Sequence, residues 1–143
     1  STLEQEMRFL NDYCLLQKLR FGQRLNYSIN YPPSAAQFPI PRLILQPLVE
    51  NAVIHGIEPS QHAGFLAIDV LEYRENELLI TIEDDGIGFQ TENTSEHIGI
   101  DNVRQRILLL NPRNTFSIES IPGNGTIITI TLKAGNSHEN SNC

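Results

Sequence analysis

Three short stretches hold side chains able to do chemistry. In Leu48-Val49-Glu50-Asn51-Ala52-Val53-Ile54-His55-Gly56, helical spacing puts residues 48, 51, 52 and 55 on one face. Asn51 and His55 then project together, one turn apart, from a segment otherwise rich in Leu, Ile and Val. A polar pair on a mainly apolar helix costs stability unless it is satisfied. A ligand would satisfy it, and so would a hydrogen-bonded structural Asn beside a surface His. Ile82-Glu83-Asp84-Asp85-Gly86-Ile87-Gly88-Phe89 is an acidic strand end turning on two glycines. Gly86 and Gly88 allow positive φ and close approach of backbone to a flat ligand. A carboxylate at the strand's end can accept a hydrogen bond from an exocyclic amine, although Asp-Gly is equally a plain turn signal. The third stretch, Ile98 to Arg106, starts a helix at Gly99 with Asp101 and Asn102 behind it, and Gly125-Thr126 follows later. Such a helix start can hold phosphate oxygens or simply be capped by Asp101 or Asn102.

These stretches sit in an acidic chain of 143 residues, with 10 Lys plus Arg against 17 Asp plus Glu and a net charge of −7. The cations are scattered, which argues against a nucleic-acid backbone as ligand. Any anionic ligand must then be held by a metal, backbone N–H groups or a helix end. Apolar residues make up 40% of the chain, enough for a core at this length, and exclude a disordered or disulfide-scaffold class. Cys14 lies within a helical pattern and Cys143 ends a polar tail, so the two form no framework and a reducing compartment is expected. The stretch Phe38 to Ile57 is broken by prolines and polar residues and cannot span a bilayer. The opening Ser-Thr-Leu-Glu-Gln-Glu has no basic segment before an apolar run, so no signal peptide is expected.

The elements that must position the three stretches can be read from periodicity. Leu3, Met7, Leu10, Cys14, Gln17 and Phe21 follow a heptad seam, with a second stripe at Phe9, Tyr13 and Leu16. Two apolar faces suggest a helix packed on both sides, as in a bundle; a helix lying on its own domain's sheet is the alternative. Strands are predicted over 25–31, 66–73, 78–83, 116–121 and 126–132, and helices over 42–56 and 98–110. Pro47 predicts a kink or a start near Gln46. The stretch 86–96 reads as polar loop and 134–143 as a disordered tail. Strands in adjacent pairs between helices suggest a two-layer α/β sandwich, one sheet with helices on a single face, preceded by one long N-terminal helix.

Each stretch alone is a weak signal, but their order and spacing resemble the nucleotide site of the GHKL superfamily: a helical Asn, Asp-x-Gly-x-Gly 33 residues on, a Gly-led helix, then Gly-Thr opening a strand. Leu45-Gln46-Pro47-Leu48-Val49-Glu50-Asn51-Ala52 with His55-Gly56, Lys18-Leu19-Arg20-Phe21-Gly22 and Asn102-Val103-Arg104-Gln105-Arg106-Ile107 are similar to its LytS/YehU-type sensor histidine kinases. The resemblance spans about Leu3 to Leu132. It implies a Bergerat fold, a mixed sheet under a helical layer, with ATP as the nucleotide and Mg²⁺ as its metal.

Residue by residue, the resemblance implies that Asn51 ligates Mg²⁺ and that Asp84 receives the adenine amino group. Gly86 and Gly88 would line the base, and Gly99, Gly125 and Thr126 match the later glycine boxes. His55 and Asn102 complete the expected binding set, and Asn51 with its neighbour Glu50 the expected catalytic one. Residues 1–22 match a remnant of the dimerisation bundle, 23–133 the ATP-binding catalytic domain. The implied whole is a two-component sensor kinase, homodimeric through the N-terminal helix. It would act on a response regulator and be anchored to a bacterial inner membrane only by upstream segments, leaving this domain cytoplasmic. Three departures stand against the pattern. Ile54 replaces a phosphate-facing lysine, His97 replaces a glycine beside the lid, and no phosphoacceptor-like string surrounds any of the four histidines. The lid region 89–97 also carries no Lys or Arg. A superfamily ATPase of the chaperone type would need a glutamate where Pro47 stands, since Glu50 projects about 100° away from Asn51. A non-catalytic module of the same fold draws its support from Ile54 and His97.

Overall fold

The computed structural model describes residues 1–89 and 98–134. All of the expected lid over 89–97 except Phe89, and all of the expected tail except Ala134, lie outside the described residues. Helix α1 (Leu3–Phe21) starts with a reciprocal cap: Thr2 Oγ1 accepts the Gln5 N–H and the Gln5 side chain accepts the Thr2 N–H. Glu4 and Glu6 in its first turn and Lys18 and Arg20 in its last oppose the helix dipole. Gly22, at φ +61°, turns the chain toward β1 (Leu25–Asn30). Then come α2 (Gln46–Asn51), β2 (Gly64–Glu72), β3 (Glu77–Asp84), α3 (Ile98–Leu110), β4 (Thr115–Ile121) and β5 (Gly125–Lys133).

The five strands make one mixed sheet in the order β1-β2-β3-β5-β4. β1 runs parallel to β2, and every other pair is antiparallel. Period-2 alternation sends Leu66, Ile68, Val70, Ile80, Ile82, Ile128 and Ile130 to the helical layer, where they are buried. Phe65, Leu71 and Ile127 face out on the open side. The fold is therefore the expected two-layer α/β sandwich.

Of α1's two apolar stripes, the first is filled by this chain itself. Leu3, Met7, Leu10 and Cys14 are buried in the common core with Leu25, Ile44 and Leu48. The partner of that seam is the chain's own sheet and α2, because a one-sided sheet needs its helical layer to cover it. The outward stripe holds Phe9 and Leu16. Glu6 lies fully buried among these residues, and its two carboxylate oxygens accept the N–H groups of Leu43 (2.9 Å) and Leu45 (2.8 Å). That bidentate tie holds α1 to the approach to α2, across Leu43 in a left-handed conformation (φ +58°).

Candidate nucleotide site

Helix α2 starts at Gln46 with Pro47 in its first turn, where a missing N–H costs nothing. After Asn51 the helix widens: Ala52–Ile57 is a π-helical turn, closed by Glu58 N–H donating to Val53 C=O at 2.8 Å. Such one-residue expansions recur at functional sites. Here the turn brings Asn51, Ala52, His55 and Gly56 to one side of a narrow cleft. The other side is the end of β3, the glycine loop and the start of β5, through Ile82, Asp84, Gly88, Phe89 and Thr126. The free space between them is about 10 Å³, room for about one water. A wider surface concavity lies elsewhere, at the far end of the sheet around Arg74, Arg113 and Lys133, and gathers none of the motif residues.

Asp84 is the electrostatic centre of the cleft. Its side chain is 5% exposed. Burial pushes the carboxyl up to about 6 from its ordinary 3.8; the Gly86 N–H pulls the other way, and the nearby charges of Asp85 and Glu83 add to the rise. Gly86 N–H donates to Asp84 Oδ1 at 2.9 Å. Asp85 does different work: its carboxylate accepts the Phe65 N–H at 2.7 Å and secures the strand end to β2.

The glycines are required by the protein's own backbone. A Cβ at Gly86 would lie 2.1 Å from the Gly56 carbonyl oxygen, and one at Gly125 would lie 2.1 Å from the Asp84 carbonyl oxygen. Gly88, at φ +66°, faces the Ile121 carbonyl at 2.3 Å from such a Cβ. The loop is also tied down by Ile87 N–H to Gly56 C=O (2.9 Å) and Gly123 N–H to Ile87 C=O (2.6 Å). Phe89 N–H donates to Ser120 Oγ at 2.8 Å, and that hydroxyl pairs with Thr126 Oγ1 at 2.7 Å.

Thus Asn51, His55, Asp84, Gly88 and Thr126 converge, with Gly86 and Gly125 immediately behind them. Gly99 and Asn102 sit at the start of α3, outside the residues that line the cleft. Glu50 is not brought in: its carboxylate accepts from the Gln46 amide at 2.9 Å, and its charge adds to the rise that burial imposes on the Tyr13 phenol on the α1 side. Ile54 is 42% exposed and also outside the lining. Sequence reasoning missed Ser120 and the structural roles of Gly56 and the π-turn. Ser120 is legible only once the β4–β5 register pairs it with Thr126.

A cleft of this composition, between a helix carrying Asn and a strand end carrying a desolvated Asp, defines a nucleotide-binding domain of the Bergerat type. Residues 39–136 match the family of histidine kinase-, DNA gyrase B- and HSP90-like ATPases, and the chain belongs to it. Sensor histidine kinase YesM of Bacillus subtilis (strain 168) is 31% identical over 140 residues, which covers 94% of this chain and 24% of that protein. Sensor histidine kinase YpdA of Escherichia coli (strain K12) is 34% identical over 119 residues, covering 76% of this chain and 20% of that protein. The chain therefore spans about a quarter or a fifth of these relatives. Among solved structures, the histidine kinase domain of the blue-light activated histidine kinase of Erythrobacter litoralis EL346 superposes with a TM-score of 0.68 at 19% identity, covering 90% of this chain and 60% of that one. The catalytic domain of histidine kinase ThkA gives 0.68 at 12% identity, covering 94% and 93%. These likenesses establish the fold. Among the described residues, no helix is long and apolar enough to cross a membrane.

Proposed function

We propose that this chain is the ATP-binding catalytic part of a two-component sensor histidine kinase, and that it passes the ATP γ-phosphoryl group to a histidine on a segment outside this chain. The observation that carries the reading is the convergence of Asn51, His55, Asp84, Gly88 and Thr126 on one cleft. Asp84, already desolvated, accepts the adenine amine; the tied glycine loop sets the floor against which the base lies. Asn51 and His55 stand on the α2 side of the cleft, and in this reading the phosphates extend toward them.

Among the described residues, no cluster of three His, Cys, Asp or Glu side chains could hold a metal alone. The donor set nevertheless fits Mg²⁺ carried in by a nucleotide, since that ion is commonly held by one or two protein oxygens plus phosphate oxygens, and the Asn51 amide oxygen is such a donor. When bound, Mg²⁺ neutralises phosphate charge. The chain's own residues position: Asn51 orients the phosphate end, Asp84 the base, and the core behind α2 fixes the distance between them. Since no Lys or Arg is among the residues lining the cleft, affinity rests on these few contacts. We read residues 1–22 as continuing into a dimerising helix of the whole kinase and 23–133 as the catalytic domain. Response-regulator partnership and membrane attachment belong to the rest of that protein.

Titration calorimetry of MgATP into wild type and Asn51→Ala tests the reading. A lost charge-assisted contact lowers affinity about 10- to 150-fold. Equal affinities would remove Asn51 from the site, and absence of binding to wild type would remove the proposed function.

A further inference from the structure

Gly56 ends the first chemistry-bearing segment, and its missing side chain faces the Asp84 carboxylate. A Cβ built at Gly56 lies 2.7 Å from Asp84 Oδ1, 3.1 Å from Cγ and 3.4 Å from Oδ2; all three of its nearest neighbours belong to that one carboxylate. The same glycine's carbonyl accepts the Ile87 N–H, and its oxygen occupies the space a Gly86 side chain would need. The end of the π-turn and the glycine loop are thus in direct backbone contact, with the Asp84 carboxylate resting against bare Cα. Had α2 continued as regular α-helix, the extra residue of the π-turn would be missing, and Gly56 would be rotated off this contact.

We propose that Gly56 is a specificity-determining positioning residue: its missing side chain lets the Asp84 carboxylate stand in the one orientation that accepts the amine of a 6-aminopurine. This rests on the nucleotide reading above. Oδ1 is held by the Gly86 N–H, which leaves Oδ2 as the oxygen that can accept from a ligand. Adding a methyl group at residue 56 displaces the end of a short, rotatable side chain, with no backbone atom among its three nearest neighbours. The fold therefore survives, and what changes is the carboxylate's direction. The consequence is a loss of base selectivity with little loss of affinity for the rest of the nucleotide.

The experiment compares ATP with purine riboside triphosphate, which has hydrogen in place of the 6-amine, by calorimetry on wild type and Gly56→Ala. Wild type should prefer ATP by about 10- to 150-fold. In Gly56→Ala that ratio should fall to near unity, while affinity for purine riboside triphosphate stays within about threefold of wild type. Equal weakening of both nucleotides, or an unchanged ratio, overturns the proposal and leaves the Asp84 assignment standing. A wild type that does not distinguish the two nucleotides overturns the Asp84 assignment itself. Should Gly56→Ala fail to fold, the double variant Gly56→Ala/Asp84→Ala decides: a folded double variant locates the conflict at the carboxylate, and an unfolded one refutes it.

Discussion

Asp84→Asn should make the free protein more stable and the nucleotide complex weaker, two effects of opposite sign from one atom exchange. In the folded chain the Asp84 carboxyl is pushed up to about 6, against 3.8 in the open, with burial the main cause. Because the folded value lies above the unfolded one, this group's contribution to stability is fully present below about pH 4 and is lost as the pH rises through about 6. The gap corresponds to about 3 kcal/mol that the ligand-free protein forgoes at pH 8 by holding a buried carboxylate charged. Asparagine removes the titration while its Oδ1 still accepts the Gly86 N–H. The variant should therefore melt roughly 6–12 °C above wild type at pH 8, and the difference should shrink toward zero by pH 4. Thermal unfolding by circular dichroism across that pH range measures it. Over the same range, calorimetry should show MgATP affinity reduced about 10- to 150-fold at pH 8. An Asp84→Asn protein that melts at or below the wild-type temperature at pH 8, or whose advantage does not narrow on acidification, would refute the placement of an ionised carboxylate in a desolvated cleft.

Two further outcomes follow from buried polar groups elsewhere. Gln17 Oε1 is buried with no hydrogen-bond partner among the described residues, so Gln17→Leu should raise the urea midpoint by an amount equal to about 1–2 kcal/mol; a lower midpoint would show that the amide is satisfied in solution. Glu6→Ala leaves the N–H groups of Leu43 and Leu45 without their acceptor and should cost about 2–5 kcal/mol by the same measurement, whereas unchanged unfolding would mean the tie carries no stability.

Most of the fold was legible because its signals are local. Alternation along Leu66–Val70 and Ile128–Leu132, and turns at Asn76 and Gly123, place the strands within a residue or two. Pro47 marks the start of α2 because only a first turn accommodates it. The adjacent pairs β2–β3 and β4–β5 were legible, but not how the pairs join: β3 lies beside β5 instead of β4, which depends on how α3 crosses the sheet. Nor does an apolar seam name its partner, and α1 offered two. Within the site, Asn51, His55, Asp84 and Thr126 were identifiable by type and spacing. The glycines were read as room for a ligand, yet Gly86, Gly88 and Gly125 are first of all room for other backbone. Glu50 was placed in the site by adjacency in sequence, which on a helix means a different direction. The π-turn had no signature, since one extra residue in a turn leaves the apolar pattern of Ala52–Ile57 intact.

The sealing of α1 into the core has a mechanical consequence. Turning the helix about its own axis would withdraw Leu3, Met7, Leu10 and Cys14 from their sites and break the Glu6 tie. At about 1.5–3 kcal/mol for each large apolar side chain, that amounts to a sizeable part of the whole stability of an ordinary domain. A torque applied to α1 therefore cannot be absorbed as slip between helix and sheet. It is passed instead into the sheet and the α2 approach to which the helix is tied.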